Sequence, residues 1–142
     1  MRAEIVLDAS VAAKCFFPET NTALAVDLVA SGVWVVAPEL IFAEMASIAA
    51  KRVRRDGFDR ELARRAVEKV DKLLHEICPM APLRGRAFDL AMLQGISAHD
   101  GSYLALAEAR GCRLITADVR LARAARQAGL GKLVTVLGEV EP

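Results

Sequence analysis

The chain has 142 residues, enough for one domain with a real core. Hydrophobic residues make up 54% and charged residues 26%, which excludes a disordered segment, and with only 5% aromatics the core must be built from Ala, Val, Leu and Ile. Lys and Arg total 19 against 18 Asp and Glu, and a net charge of +1 does not by itself announce a nucleic-acid binder.

In chain order, short β-rich runs alternate with helical ones. Residues 3–7 are apolar and β-branched, end at Asp8, and read as a first strand. Residues 21–30 read as a helix capped by Thr20 or Asn21 and stopped by Gly32; residues 33–36 are a second strand. Pro38 opens a long helix to about Arg55, closed by Asp56-Gly57. A second long helix is predicted from about Asp59 to Glu76, with Leu62, Ala66, Val70, Leu73 and Leu74 on one side. Residues 77–81 are a short strand that Pro79 demotes to an edge. Helices over 84–93 and 98–110, a strand over 113–116, a helix over 118–128 and a last strand over 133–137 complete the pattern. Strands separated by helices pair in parallel, so the expected fold is a single α/β domain over 1–142, with a central parallel sheet of four to five strands and helices on both faces.

No repeat, low-complexity segment or long linker interrupts the chain. Asp8 and Lys14 break the first apolar runs before a signal sequence forms. Gly32, Pro38, Glu39 and Glu44 break the most apolar stretch, so no membrane span is expected and the expected location is cytoplasmic. Cys15, Cys78 and Cys112 are odd in number and widely spaced, which reads as three buried free thiols in a reducing compartment.

Four carboxylates stand in telling places. Sites in open parallel sheets form beyond the carboxyl ends of the strands, where Asp8 follows the first strand and Asp118 follows Leu114-Ile115-Thr116. With Leu40 at zero on a helical wheel, Glu44 falls near ~40°, between the apolar Leu40 and Ile41 at ~100°, and Ile48 falls near ~80°. An ionised carboxylate inside that stripe costs several kcal/mol unless paired or bound to a cation. From Asp100, Leu104 lies near ~40°, Ala107 near ~340° and Tyr103 near ~300°, so Asp100 also points inward.

Each acid has a plain structural alternative. Asp8 and Asp118 sit where helix N-caps occur, Asp100 complements a helix dipole, and Glu44 fits a buried arginine partner. Spacing alone leaves these open beside a metal centre. Carboxylates gathered within a few ångströms cannot all stay ionised without a cation, and all-oxygen donors favour Mg²⁺ or Mn²⁺ over zinc. His75 reads as a surface residue, and His99 as structural or in contact with substrate. If the four acids are committed to metal, 18 − 4 = 14 acids face 19 bases, leaving +5 on the rest of the chain.

The segments Ile5-Val6-Leu7-Asp8-Ala9-Ser10, Ala37-Pro38-Glu39-Leu40 leading to Glu44, residues 99–107 from His99-Asp100 onward, and Leu114-Ile115-Thr116-Ala117-Asp118 occur in this order. In order and spacing the chain resembles the PIN-domain ribonucleases, specifically VapC-type toxins of toxin–antitoxin pairs. His99 stands where relatives often have Tyr, Gly101 where Ala is common, and Ser47 where Asn often follows the helix acid.

The resemblance implies a Mg²⁺- or Mn²⁺-dependent endoribonuclease, usually dimeric and neutralised by a cognate antitoxin. Asp8, Glu44, Asp100 and Asp118 would hold the metal and activate water for attack on the phosphodiester. Ser10 and Thr116 would supply hydrogen bonds to these acids or to phosphate. Basic clusters at Lys51, Arg52, Arg54 and Arg55, at Arg60, Arg64 and Arg65, and at Arg120, Arg123 and Arg126 read either as solvated helix faces or as a rim for RNA. Arg120 and Arg123 are the best placed for RNA. The rivals are a PIN-like RNA- or protein-binding module without catalysis, and a phospho-acceptor receiver, which would need adjacent acids after its first strand.

Overall fold

The computed structural model describes residues 2–139. Five strands form one parallel sheet: β1 (Glu4–Leu7), β2 (Trp34–Pro38), β3 (Glu76–Cys78), β4 (Arg113–Thr116) and β5 (Val134–Val136), in the order β3-β2-β1-β4-β5. The expected parallel sheet is therefore present. Chain direction across it reverses between β1 and β4, and this leaves a crevice beyond their carboxyl ends.

Side chains alternate along each strand, so one strand feeds two cores. Leu7, Val35, Ala37 and Ile115 pack beneath α1 (Ala9–Lys14), α2 (Thr22–Ala30), α3 (Leu40–Asp56) and α4 (Arg60–Lys69). Val6, Val36 and Leu114 pack beneath α5 (Arg84–Ala91), α6 (Ala98–Arg110) and α7 (Val119–Gln127) on the opposite face. Small alanines at these contacts let helices sit close to the sheet, as the scarcity of aromatics implied.

Three elements differ from the sequence reading. Residues 9–14 form α1, whose Ala9, Val11, Ala12 and Ala13 are all buried. A helix apolar on nearly every side carries no amphipathic period. The helix expected to reach Glu76 stops at Lys69, continues as a single 3-10 turn over Val70–Leu73, and yields Glu76 to β3. Its buried side is Ala63, Ala66 and Val70, whereas Leu62 is exposed. Pro38 ends β2 instead of opening α3, which begins at Leu40.

Two contacts set the position of α6, the helix that carries Asp100. At its carboxyl end Arg110 forms paired hydrogen bonds with Glu4 of β1 (2.8 and 3.1 Å) and with Glu76 of β3 (2.9 Å each). Charge-assisted fork geometry of this kind is the strong form of an ion pair, and Arg110 holds both carboxyls below their ordinary range. Near its amino end Gly101 lies directly on α5: an added Cβ would stand 2.7 Å from the Ala87 carbonyl oxygen.

That approach explains why Gly stands beside Asp100. Gly101→Ala should lower stability by about 1 kcal/mol. Overpacking costs ~1–3 kcal/mol and outweighs the ~1 kcal/mol that Ala gains over Gly within a helix. Urea midpoints of the two proteins check this; an equal or higher midpoint for the alanine variant would show that α5 and α6 part freely.

Candidate active site

The crevice begins with Asp8. Its backbone N–H donates to Ile115 O (3.1 Å), extending the β1–β4 pairing by one residue and placing its side chain beside the end of β4. The carboxylate is 8% exposed, and its Oδ2 accepts hydrogen bonds from Ser10 Oγ (2.6 Å) and Thr116 Oγ1 (2.7 Å). Each hydroxyl oxygen accepts in turn: Ala117 N donates to Ser10 (3.0 Å) and Asp118 N to Thr116 (3.0 Å). Two turns that are more than 100 residues apart in sequence are thus tied through one carboxylate. Asp8 occupies an N-cap position, but its side chain does not cap α1.

Asp118 does cap its helix. Its Oδ1 accepts from Arg120 N (2.9 Å) and Leu121 N (3.2 Å) at the start of α7. Asp100 lies in the first turn of α6, where Ser97 Oγ accepts from Asp100 N (3.1 Å). The Ser97 hydroxyl and backbone also act on the Asp100 carboxyl and lower it. Both acids are therefore rigid at little cost, because the helix needs them where the site needs them. The Ser-x-x-Asp spacing was readable in the sequence.

Glu44 is different. It projects from α3, its Oε2 stands 3.8 Å from His99 Nδ1, and its Oε1 is buried without a hydrogen-bond partner. Among the described residues its ion-pair neighbour is this imidazole and not the arginine expected of a structural partner. His99 is mostly exposed at the rim.

Electrostatics show how closely the acids sense one another. Burial pushes the Asp8 carboxyl up to about 6, against the lowering effect of the Ser10 and Thr116 hydroxyls, and the charges of Glu44 and Asp100 raise it further. Asp100 is also raised, first by burial and then by the charge of Asp118, while its Ser97 bonds lower it. The predicted acids thus feel one another's charge: Glu44 and Asp100 act on Asp8, and Asp118 on Asp100. Among the described residues, however, no three of them already close around a point as a metal cage would.

The donors nonetheless suit a hard cation. A buried carboxylate oxygen without a hydrogen bond at Glu44, acting on a carboxyl as strained as Asp8, is an incomplete arrangement, and apart from the exposed His99 imidazole the donor atoms of the four acids are all oxygens. Mg²⁺ or Mn²⁺ fits such a set better than zinc.

The other candidates fall out unevenly. Ser10 and Thr116 hold Asp8, so their hydroxyls are bound to the acid and the backbone. Arg120 and Arg123 are exposed on α7 beside Asp118. In the other basic clusters, Arg52 is spent on Glu19, Asp56 and the Pro18 carbonyl, and Arg64 and Arg65 pair with Glu68 and Glu61. An apolar groove of about 550 Å³ between α3 and α4, lined by Ala49, Val53, Ala63 and Val67, lies away from the acids.

Of the cysteines, only Cys78 is buried; Cys15 and Cys112 are half-buried, so the expectation of three buried thiols holds for one. All three are free, burial raises each thiol, and Cys112 is pushed up to about 11. No helix among the described residues is long and apolar enough to cross a membrane. Sequence reasoning did not give Tyr103 a role, although its wheel position put it near the inward stripe.

The family model for the PIN domain matches residues 5–127. A VapC ribonuclease of Mycobacterium bovis is 36% identical over 117 residues, covering 82% of this chain and 87% of that protein. The crystal structure of PAE2754 from Pyrobaculum aerophilum superposes with a TM-score of 0.70 at 22% identity, covering 93% of this chain and 83% of that one. VapBC2 from Rickettsia felis, solved bound to a DNA fragment from its promoter, has a chain that superposes at 0.66 and 14% identity over 94% of this chain and 98% of that one. These two structures are similar in fold.

The raised Asp8 carboxyl makes a stability prediction. Below the ordinary 3.8 the group is protonated in both folded and unfolded chains and contributes nothing. Between there and about 6 the unfolded chain loses its proton first, so stability falls as pH rises, and above 6 the full penalty, on the order of 3 kcal/mol, is present. In chelator at pH 7.5, Asp8→Asn should therefore melt higher than the parent chain, and the advantage should vanish at pH 3.5. Thermal melts at both pH values decide it; an Asn variant that melts lower at pH 7.5 would mean that Asp8 is not under charge strain.

Proposed function

The chain belongs to the PIN-domain family, and from that premise we propose that its acidic crevice is the active site of a divalent-cation-dependent endoribonuclease. The observation that carries this reading is a Glu44 carboxylate whose ion-pair neighbour among the described residues is no more than an exposed imidazole and whose own charge acts on a buried Asp8 of raised proton affinity. A folded protein keeps such a pair when a ligand completes it. A relative that is 36% identical over 82% of this chain is named a ribonuclease.

Asp8, Glu44, Asp100 and Asp118 would hold Mg²⁺ or Mn²⁺. When bound, the cation makes water more acidic and offsets charge that builds on the phosphate. Ser10 and Thr116 keep the Asp8 Oδ2 fixed, leaving Oδ1 to face the crevice. The cap bonds commit the Asp118 Oδ1 to α7 and leave its Oδ2 for the site. The attacking water forms the new P–O bond and gives its proton to a carboxylate of this cluster, the P–O bond to the leaving oxygen breaks in line, and that proton passes to the leaving oxygen, so that a hydroxyl end and a phosphate end result. Arg120 and Arg123, on the exposed turns following Asp118, meet the RNA backbone.

The toxin role comes from the relatives. One is a VapC ribonuclease and one similar structure is a VapBC pair. By analogy this chain acts in the cytoplasm as the toxin of a two-protein module, as a homodimer silenced by a small antitoxin. A small protein encoded beside it that copurifies with it and blocks cleavage would be that antitoxin.

Asp100→Asn should lower Mg²⁺-dependent RNA cleavage by at least about a hundredfold while leaving the melting temperature in chelator no lower than that of the parent. Cleavage that survives in this variant, or in excess chelator, overturns the mechanism. For the rim, Arg120→Ala and Arg123→Ala should each reduce the steepness of log affinity against log salt by roughly one, whatever the RNA sequence. An unchanged slope in both would move the RNA path elsewhere.

A further inference from the structure

Tyr103 is the chain's single tyrosine. It sits one turn after Asp100 on α6 and is 1% exposed, the bulkiest of the fully buried side chains. Its hydroxyl is shut off from water and makes no hydrogen bond, and the Glu44 Oε1 is in the same condition. Full burial of a ring is ordinary, but burial of an unpartnered hydroxyl is not; phenylalanine would fill the same space without it.

What surrounds the hydroxyl gives the reason. After burial, the charges of Asp8 and Glu44 act on it most, and the Glu44 carboxylate and the Ala9 backbone also act on it at short range. Tyr103 on α6 and Glu44 on α3 thus each carry a buried polar atom without a partner, and a hydrogen bond between the two would satisfy both. The only donor of the pair is the tyrosine, since an ionised carboxylate can only accept.

We propose that the Tyr103 hydroxyl is a positioning donor for Glu44, holding that carboxylate toward Asp8 as one wall of the cation site. The ring is gripped by the core beneath α6 (Leu104, Leu106 and Leu90 belong to the same cluster), so the donor is a rigid one. It does for Glu44 what Ser10 and Thr116 do for Asp8, and what Ser97 does for Asp100. Outer partners of this type align metal ligands and tune affinity. The inference rests on the reading of Glu44 as a cation ligand, but the Tyr103–Glu44 contact itself does not.

A single tyrosine makes the test direct, because its Raman Fermi doublet reports whether the phenol donates a hydrogen bond. In the metal-free full-length chain the doublet should show a strong donor, and Glu44→Gln should weaken it. Tyr103→Phe should melt somewhat lower in chelator, because the buried Glu44 oxygen loses its donor, and should also bind Mn²⁺ roughly tenfold more weakly by calorimetry. A merely structural tyrosine would lower melting and leave the affinity unchanged. A doublet indifferent to Glu44→Gln, or a Phe variant whose Mn²⁺ affinity stays within about twofold of the parent, overturns the proposal. Should the parent chain bind no Mn²⁺, the cation reading fails, and the doublet alone decides whether Tyr103 donates to Glu44.

Discussion

Everything in the crevice depends on a carboxylate that is buried but not neutralised. Two neutral hydroxyls grip one oxygen of Asp8, and the charges nearest to it include those of two further acids. Hydrogen bonds fix the group's direction without cancelling its charge. The chain tolerates this because the hydroxyls sit on the same two turns that the acid joins, so the bonds that orient Asp8 also weld the end of β1 to the end of β4. Electrostatic strain and topological closure are supplied by the same atoms.

The remaining acids arrive by cheaper routes. Asp100 and Asp118 occupy helix starts, where carboxylates are welcome on their own account. The structural explanation and the functional one therefore do not compete for these residues; each cap leaves an oxygen to spare. Glu44 has no such excuse. It lies inside α3, beyond the reach of any cap, with a buried oxygen that makes no hydrogen bond in the fold. Of the four it is the acid whose presence is hardest to explain by folding alone.

Much of this was legible in the sequence because the signals were periodic. Short apolar, β-branched runs and punctuating glycines place five strands near their true positions, and the helical wheel turns Glu44 inward. What escaped was encoded otherwise. Helix α1 is too short and too uniformly apolar for periodicity to reveal it. The turn at Val70–Leu73 breaks a pattern that the apolar residues continue, so Leu62 was assigned to the wrong side. The order of the strands, which decides that Asp8 and Asp118 share a crevice, follows from packing of helices on two faces and is written in no single segment. Tyr103 looks like any core aromatic until its oxygen is found without a partner.

The clamp at Arg110 gives this layout a mechanical side. Residues 100 and 110 lie on one straight helix, ~15 Å apart along its axis. The far end is bolted to the opening residues of β1 and β3 at the rim of the sheet remote from the acids. Helix α6 is thus a strut braced at its base, and its tip aims two side chains at once, Asp100 into the crevice and Tyr103 at Glu44. Loosening Glu4 or Glu76 would let that tip swing by amounts too small to unfold anything. Variants that silence the protein should therefore turn up at the foot of the strut as well as at its point, in residues that no substrate ever meets.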